Sequence, residues 1–166
     1  MVQRIFGIGL SKTGTTSLNT ALRSLGIPSL HFPKPKMLFT NVASTDSPCV
    51  YYLDSLLKAF PDCKLIYTTR NDEDWLESCK IHFGRVKLTP YGYFLRKGIF
   101  GTEDPKEKDF LKAKRNHEKK LGKIKKEILT LDLDKNDDKM QLLCDFLEKE
   151  RPQGLDYPIT NVTQVD

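Results

Sequence analysis

An apolar run, a turn of small and hydroxylated residues and a helical pattern follow one another at the start of the chain. Residues 4–10 (R-I-F-G-I-G-L) have the pattern of a short buried strand. Residues 11–15 form a Ser/Lys/Thr/Gly turn, and residues 16–25 carry leucine and alanine at helical spacing up to Gly26. A strand followed this closely by a helix is typical of a parallel α/β unit, and this constrains the fold more than any other feature.

The rest of the chain continues the alternation of strands and helices. The patterns predict a possible short strand over 29–32, clear strands over 63–69 and 128–133, and helices over 50–60, 72–83, 104–127 and 139–149. Residues 33–47 and 84–103 and the tail from 151 show no regular period. We therefore expect an α/β fold of three layers, a short parallel sheet with helices on both faces. The length of 166 residues suits a single domain over 1–166.

Composition excludes several classes of protein. Hydrophobic residues make up 39% and charged residues 30% of the chain, as in soluble globular proteins and unlike disordered ones. No apolar run approaches the roughly 18 residues of a membrane helix, and residues 1–7 are too short an apolar stretch for a signal peptide. The four cysteines form no C-x-x-C pair and have no zinc-finger spacing. We expect reduced, mostly buried thiols in a cytoplasmic protein without a membrane partner.

The positive charge is concentrated in residues 106–127, which carry a net charge of +6. Beneath these lysines runs an apolar stripe at helical spacing, which predicts a solvated helix face rather than a nucleic-acid surface. A basic flank to an anionic ligand site is the alternative. No sequence feature indicates an oligomeric state. The stripe consists of Phe110, Ala113, His117, Leu121, Ile124 and Ile128.

The turn after the first strand has the composition of an anion-binding loop. Residues 7–17 read G-I-G-L-S-K-T-G-T-T-S. Glycine lets backbone N–H groups approach an anion, and the following helix N-terminus adds partial positive charge. An ordinary turn with a Ser/Thr cap is the alternative. The loop is not a standard ATP-binding loop, because Thr15 stands where G-x-x-x-x-G-K-[ST] has its lysine and the lysine comes earlier, at Lys12.

With its displaced lysine, the segment S-K-T-G-T-T-S at 11–17 resembles the P-K-[ST]-G-T-T loop of sulfotransferases that use PAPS, 3′-phosphoadenosine 5′-phosphosulfate. Ser11 replaces the usual proline, and Ser17 stands where many members have an adenine-stacking tryptophan. The resemblance implies a P-loop NTPase-like sulfotransferase architecture. It also implies that Lys12 stabilises the leaving group and that the loop binds the 5′-phosphosulfate through Ser11, Lys12, Thr13, Gly14, Thr15, Thr16 and Ser17.

A second motif strengthens the resemblance. Arg70 follows the predicted strand 63–69, and Ser78 comes eight positions later on the next predicted helix, as in the 3′-phosphate site of the family. Arginine at the carboxyl end of a parallel strand can bind phosphate through two donors. Residues 60–70, 128–133 and 142–147, Tyr157-Pro158 and Asn161 also resemble a compact sulfotransferase-like family. Residues 84–127 match least, and we interpret them as a variable segment that could form an acceptor or lid region.

Two residues are candidates for the general base that removes the acceptor's proton. Asp46 precedes the second helix, where sulfotransferases often carry a catalytic Glu, Asp or His, and could equally cap that helix. His31 follows the possible strand 29–32 and has a suitable intrinsic pKa, but could equally belong to the core. His82 and His117 are interpreted as structural or exposed. Residues 96–98 (R-K-G) resemble a phosphate motif that other sulfotransferases carry near the C-terminus, and a basic loop is the alternative.

The resemblance implies an enzyme that transfers a sulfuryl group from PAPS to a hydroxyl or amine of a small molecule or glycan, releasing PAP without a metal. One alternative is a non-catalytic protein that binds PAP or PAPS. Another is an atypical P-loop kinase for a nucleotide or small molecule. A kinase would need a magnesium-holding acid at a strand end, for which Asp132 is the candidate.

Overall fold

The computed structural model describes residues 3–160, so Met1, Val2 and the segment from Asn161 lie outside the description. Five parallel strands form one sheet in the order β2-β3-β1-β4-β5. The prediction of a parallel α/β fold is confirmed. The strands are β1 (Ile5–Gly7), β2 (Ser29–His31), β3 (Ala43–Thr45), β4 (Lys64–Thr69) and β5 (Ile128–Asp132).

Helices connect successive strands and flank the sheet. Between β1 and β4 lie α1 (Thr15–Ser24), α2 (Pro35–Thr40), α3 (Ser47–Tyr51) and α4 (Leu53–Ala59). Between β4 and β5 lie α5 (Asp72–Arg85), α6 (Pro90–Phe100) and α7 (Glu107–Leu121), and α8 (Lys139–Leu147) follows β5.

Alternation along the strands separates the core into two faces of the sheet. Ile5 and Ile66 pack with α1 and α8, in a cluster that includes Leu18. Their chain neighbours Phe6 and Leu65 pack on the other face, in a cluster with residues of α3, α4 and α7. Successive side chains of a strand point to opposite faces, so two adjacent apolar residues in a central strand require cover on both sides.

The segment 33–47 is more ordered than its sequence predicts. It was expected to be a loop, but it contains α2 and the strand β3. Pro35 stands at the start of α2, where its missing N–H costs nothing. β3 has only three residues, and pairing with β1 on one side and β2 on the other makes it a strand. Pairing partners this distant leave no periodic signal in so short a segment.

Three helix boundaries also differ from prediction. The helix expected over 50–60 is two helices, α3 and α4, which meet at Tyr52. The segment 84–103, expected to be irregular, contains α6, whose start is marked by the cap Thr89, which accepts a hydrogen bond from the Gly92 N–H. The basic helix expected over 104–127 is shorter, from Glu107 to Leu121. Local start and stop signals therefore outweigh the apolar period in these segments.

Other expectations about composition agree with the structure. All four cysteines are free and buried. In the apolar stripe of the basic segment, Phe110, Ala113, His117 and Leu121 are buried beneath the lysines of α7. Within residues 3–160, no helix combines the length and apolarity that crossing a membrane requires.

The strand order makes the connections after β1 and β4 start side by side at the carboxyl ends of the strands. From β1 the chain passes to β2 and β3 on one side, and then returns to β4 on the other side. The connections after β1 and β4 therefore diverge at the carboxyl ends of two adjacent strands, where open α/β sheets form a ligand-binding crevice. Lys12 follows β1 and Arg70 follows β4.

Candidate functional site

A cleft of about 660 Å³ opens at the carboxyl ends of the strands, a volume within the usual range for small-molecule sites. It brings together the predicted residues from the loop after β1, the ends of β2, β3 and β4, and α5. Of the predicted site residues, those that line the cleft are Ser11, Lys12, Gly14, Thr15, Thr16, Ser17, His31, Asp46, Arg70 and Ser78.

The loop of residues 8–14, here called the Lys12 loop, presents unsatisfied donors to the cleft. α1 begins after Gly14, which has a φ of 94°, and no side chain caps this N-terminus. Lys12 itself has a positive φ of 71°, which is uncommon for a residue with a side chain. We find no hydrogen bond or ion pair to the Lys12 ammonium from the residues the structure describes. The loop thus places a cation beside an uncapped helix N-terminus, an arrangement suited to an anion.

Thr13 lies beneath the Lys12 loop and does not line the cleft. Its Oγ1 donates to the Leu10 carbonyl at 2.7 Å and lies 2.8 Å from the Thr68 hydroxyl of β4. The loop also approaches β4 closely at Gly9, where a Cβ would stand 1.9 Å from Thr68 Oγ1. Thr13 and Gly9 therefore hold the loop against the sheet.

Arg70 and Ser78 face the cleft from β4 and α5. The Arg70 carbonyl accepts a hydrogen bond of 2.8 Å from Lys114 of α7. Its guanidinium lies 3.7 Å from Asp74, and its Nε is buried without a hydrogen-bond partner in the described structure. Trp75 links α5 to the Lys12 loop, because its indole N–H donates to the Ser11 carbonyl at 2.9 Å. Arg70 therefore retains donor capacity that the described protein groups do not use.

The two candidate bases, His31 and Asp46, contact each other. His31 Nε2 lies 3.2 Å from Asp46 Oδ2, and the side chains are 31% and 10% exposed, respectively. The other ring nitrogen, Nδ1, lies 3.1 Å from the Thr45 hydroxyl, and Nε2 also lies 3.3 Å from the Thr16 hydroxyl. The sequence left these residues as alternatives, whereas adjacent strands β2 and β3 place them side by side.

The Asp46 carboxylate is held by groups on both sides of it. Oδ1 lies 2.6 Å from the Ser47 N–H, 2.9 Å from Ser11 Oγ and 3.1 Å from Ser47 Oγ. Asp46 does cap α3, as the alternative interpretation expected, and at the same time faces His31. Its backbone, with φ 82° and ψ −169°, lies in a region that is essentially reserved for glycine.

Sequence reasoning missed two parts of the cleft. His82 lines it, although it was expected to be structural or exposed. Burial lowers the pKa of His82, and the charge of Lys12 lowers it further. The spacing could have revealed it, because His82 lies one helical turn after Ser78 on the same face of α5.

The segment Tyr157–Thr160 is the second missed part. It lines the cleft, and Thr160 is tied to Ser17 of α1 by its N–H at 3.0 Å and its hydroxyl at 3.1 Å. Burial raises the pKa of the Tyr157 phenol, so it stays neutral. Tyr157-Pro158 belongs to the family resemblance, but the sequence assigned the segment no place in the site, because a contact across more than 140 residues leaves no local signal.

Other candidates lie elsewhere. Arg96 is buried against the rings of Phe83 and Tyr93, with 4.3 and 5.7 Å between guanidinium carbon and ring centroids, and does not line the cleft. No residue of 84–127 lines it either. Asp132 accepts a hydrogen bond of 3.0 Å from the Asp134 N–H outside the cleft. Within the described ranges, no three His, Cys, Asp or Glu residues form a group that could hold a metal.

The chain matches a known protein family over nearly its whole length. The family described as "Sulfotransferase domain" matches residues 4–37 and 34–165, which is nearly the whole chain. The chain belongs to the sulfotransferase family. The resemblance noted in the sequence is thus confirmed, and the family membership supports a sulfotransferase-type function.

One curated relative matches part of the chain. The Ava biosynthesis cluster protein M of Aspergillus versicolor is 28% identical over 106 residues. The match covers 45% of this chain and 41% of the relative, so the chain spans about two-fifths of that protein's length.

Proposed function

We propose that this chain transfers a sulfuryl group from PAPS to a hydroxyl or amine of a small acceptor and releases PAP. The observation that carries the proposal is the convergence of Lys12, the uncapped N-terminus of α1 and Arg70 on one cleft. PAPS would supply an activated sulfuryl group between two anionic ends. The cleft has a cationic group at the end of β1 and another at the end of β4, which matches that distribution of charge.

The residues present fit this donor. Lys12 and the first residues of α1 would hold the 5′-phosphosulfate, through the ammonium, backbone N–H groups and hydroxyls. Arg70 and Ser78 would hold the 3′-phosphate, and the buried Arg70 Nε without a described partner supports a further ligand for this side chain. Ser11 and Thr13 use their hydroxyls within the protein, so their contribution to the site is to shape the loop.

Three acidic residues that line the cleft have cationic neighbours, which limits their opposition to this assignment. Asp74 lies beside Arg70, Asp137 is 2.8 Å from Lys139, and Asp138 pairs with Arg151. A backbone hydrogen bond from Gln141 lowers the pKa of Asp138, and Arg151 lowers it further. Each ion pair reduces the repulsion that the acid alone would exert on an anionic ligand.

We assign the removal of the acceptor's proton to the His31–Asp46 pair. The two side chains share an edge of the cleft and lie in hydrogen-bonding contact. A general base within hydrogen-bonding reach of the acceptor can take its proton, and this contact orients the two candidate groups toward each other. Asp46→Asn and His31→Asn should both lower single-turnover transfer at saturating PAPS, and the double variant should be no worse than either single variant, because the two side chains act as one unit.

Thermal unfolding with PAP in EDTA tests the donor assignment. A ligand at 100 times its Kd stabilises the fold by about 2.7 kcal/mol. Arg70→Ala should weaken PAP by tenfold or more, because a charge-assisted hydrogen bond contributes about 1.5–3 kcal/mol. Adenosine 5′-phosphosulfate, which lacks the 3′-phosphate, should lose little affinity. Arg115→Ala, an exposed arginine of α7, is the control.

Two results would contradict the assignment of the donor and of Arg70. If millimolar PAP does not shift the melting temperature of the natural protein, the donor assignment is wrong. Equal losses for the two nucleotides in Arg70→Ala would remove Arg70 from the 3′-phosphate site. Transfer of label from [³⁵S]PAPS to a panel of phenols, alcohols and amines would then separate an enzyme from a binding protein.

A further inference from the structure

Ser11 connects three parts of the cleft. Its hydroxyl lies 2.9 Å from Asp46 Oδ1 and 2.8 Å from Ser47 Oγ, at the junction of β3 and α3. Its carbonyl accepts the indole N–H of Trp75 at 2.9 Å, from the helix that carries Ser78. Ser11, a residue of the Lys12 loop, is therefore hydrogen-bonded both to Asp46 of the His31–Asp46 pair and to α5.

The contact matters because Asp46 is held in a costly conformation. A side chain at φ 82° and ψ −169° persists only where its surroundings fix it. Ser47 contributes two groups next to Oδ1, but they belong to the same junction as Asp46 itself. The Ser11 hydroxyl donates a hydrogen bond to this carboxylate from the Lys12 loop, outside that junction.

Fixing one carboxylate oxygen orients the other. With Oδ1 among donors from Ser11 and Ser47, Oδ2 is left 3.2 Å from His31 Nε2. His31 is held from its other side by Thr45. Rotation of the Asp46 carboxylate would break the contact with His31, so the Ser11 hydroxyl, together with Ser47, holds the geometry of the pair.

We propose that Ser11 is a positioning residue for the His31–Asp46 pair, and that it couples the pair to the Lys12 loop. The description of the pair as a base rests on the proposed function, whereas the coupling of the three side chains does not. Ser11 acts through Asp46 and leaves the donor to Lys12, α1 and Arg70.

The test follows the His31 imidazole in the unliganded protein by ¹H–¹⁵N NMR. The natural protein should show a Nε2 proton protected by Asp46, and Ser11→Ala should exchange that proton with water at least tenfold faster. Ser11→Thr keeps a hydroxyl and should restore the natural signal. Ser24→Ala removes an exposed hydroxyl of α1 that bonds only within the helix in the described structure, and should change nothing.

A second measurement separates positioning from donor binding. Ser11→Ala should lower transfer at saturating PAPS by tenfold or more, while the Kd for PAPS stays within about threefold of the natural value. An unchanged His31 signal in Ser11→Ala, or no protected proton in the natural protein, would overturn the proposal. A loss of PAPS affinity as large as the loss of rate would overturn it too. Failure of the natural protein to bind PAP would overturn the proposed function alone, because the NMR result is obtained without ligand.

Discussion

Three residues beside the cleft have backbone conformations that side chains rarely adopt. Lys12, Phe32 and Asp46 have positive φ angles of 71°, 51° and 82°. They follow β1, β2 and β3, so each lies at the carboxyl end of a strand. Strain of this kind costs on the order of 1–3 kcal/mol per residue and concentrates at functional sites. Its position here, around a cleft that also holds Arg70, independently supports the assignment of the site.

Asp46 allows this strain to be measured. Asp46→Gly and Asp46→Ala both remove the carboxylate, but only glycine adopts φ 82° without strain. Relief of about 1–3 kcal/mol, offset by about 0.5–1 kcal/mol for the greater entropy of unfolded glycine, should leave the glycine variant about 1 kcal/mol more stable. Denaturant unfolding of the two variants measures the difference. An alanine variant that is more stable than the glycine variant by about 0.5–1 kcal/mol would show that the conformation carries no strain.

Lys12 should act on the rate more than on binding. If its ammonium stabilises charge that develops on the leaving oxygen, Lys12→Met should lower single-turnover transfer by about 100–1,000-fold at saturating PAPS. Arginine should not rescue it fully, because a planar guanidinium does not take the place of a compact ammonium. Lys97→Met, an exposed lysine outside the cleft, serves as the control. An unchanged rate with weakened PAPS binding would make Lys12 a binding residue only.

Contacts with neighbouring secondary-structure elements hold the Lys12 loop in its shape. The loop rests on β4 through Thr13 and Gly9, and α5 holds it through Trp75. Three elements that are distant in sequence therefore fix one short loop. A glycine is required at Gly9 by contact rather than by its own dihedral angles, since added atoms would overlap Thr68.

Two glycine-to-alanine substitutions distinguish the steric contact of an added Cβ from the helix propensity of alanine. Gly9→Ala should destabilise the protein by about 1–3 kcal/mol, because its Cβ would lie 2.8 Å from the Thr68 backbone carbonyl as well as near its hydroxyl. Gly84→Ala, in the last turn of α5 with no atom within 4 Å of the added Cβ, should stabilise it by up to about 1 kcal/mol. Urea unfolding compares them. Similar stabilities would mean that the loop yields to the added methyl group.

At the scale of the whole molecule, one histidine joins α7 to the strand that precedes the site. His117 is buried, and its Nε2 donates a hydrogen bond of 2.7 Å to the Ile8 carbonyl just after β1. Burial lowers the pKa of His117 below its usual value, and burial also lowers that of His82. The folded state therefore favours the neutral imidazole, while the unfolded chain takes up a proton at its ordinary pKa of about 6.5.

The consequence is a loss of stability in mild acid. The contribution of His117 is complete above the unfolded pKa and declines as the pH falls from about 6.5 toward the lower folded pKa. His117→Gln can keep a hydrogen-bond donor but does not titrate, so it should flatten the dependence of melting temperature on pH between 7 and 5. His82→Gln reports the share from the cleft. Parallel pH profiles for His117→Gln and the natural protein would contradict this prediction.

The sequence by itself determined the parallel α/β class, the composition of the Lys12 loop, and the spacing that places Arg70 and Ser78 after the same strand. These features depend on short-range patterns: apolar runs, a turn of glycine and hydroxyl residues, and a spacing of two helical turns. Tertiary structure alone decided that His31 and Asp46 contact each other, that the Ser11 hydroxyl donates to Asp46, and that His82 and Tyr157–Thr160 line the cleft. Those contacts join residues on different strands or opposite ends of the chain. Strand order brings them together, and no local period encodes that order.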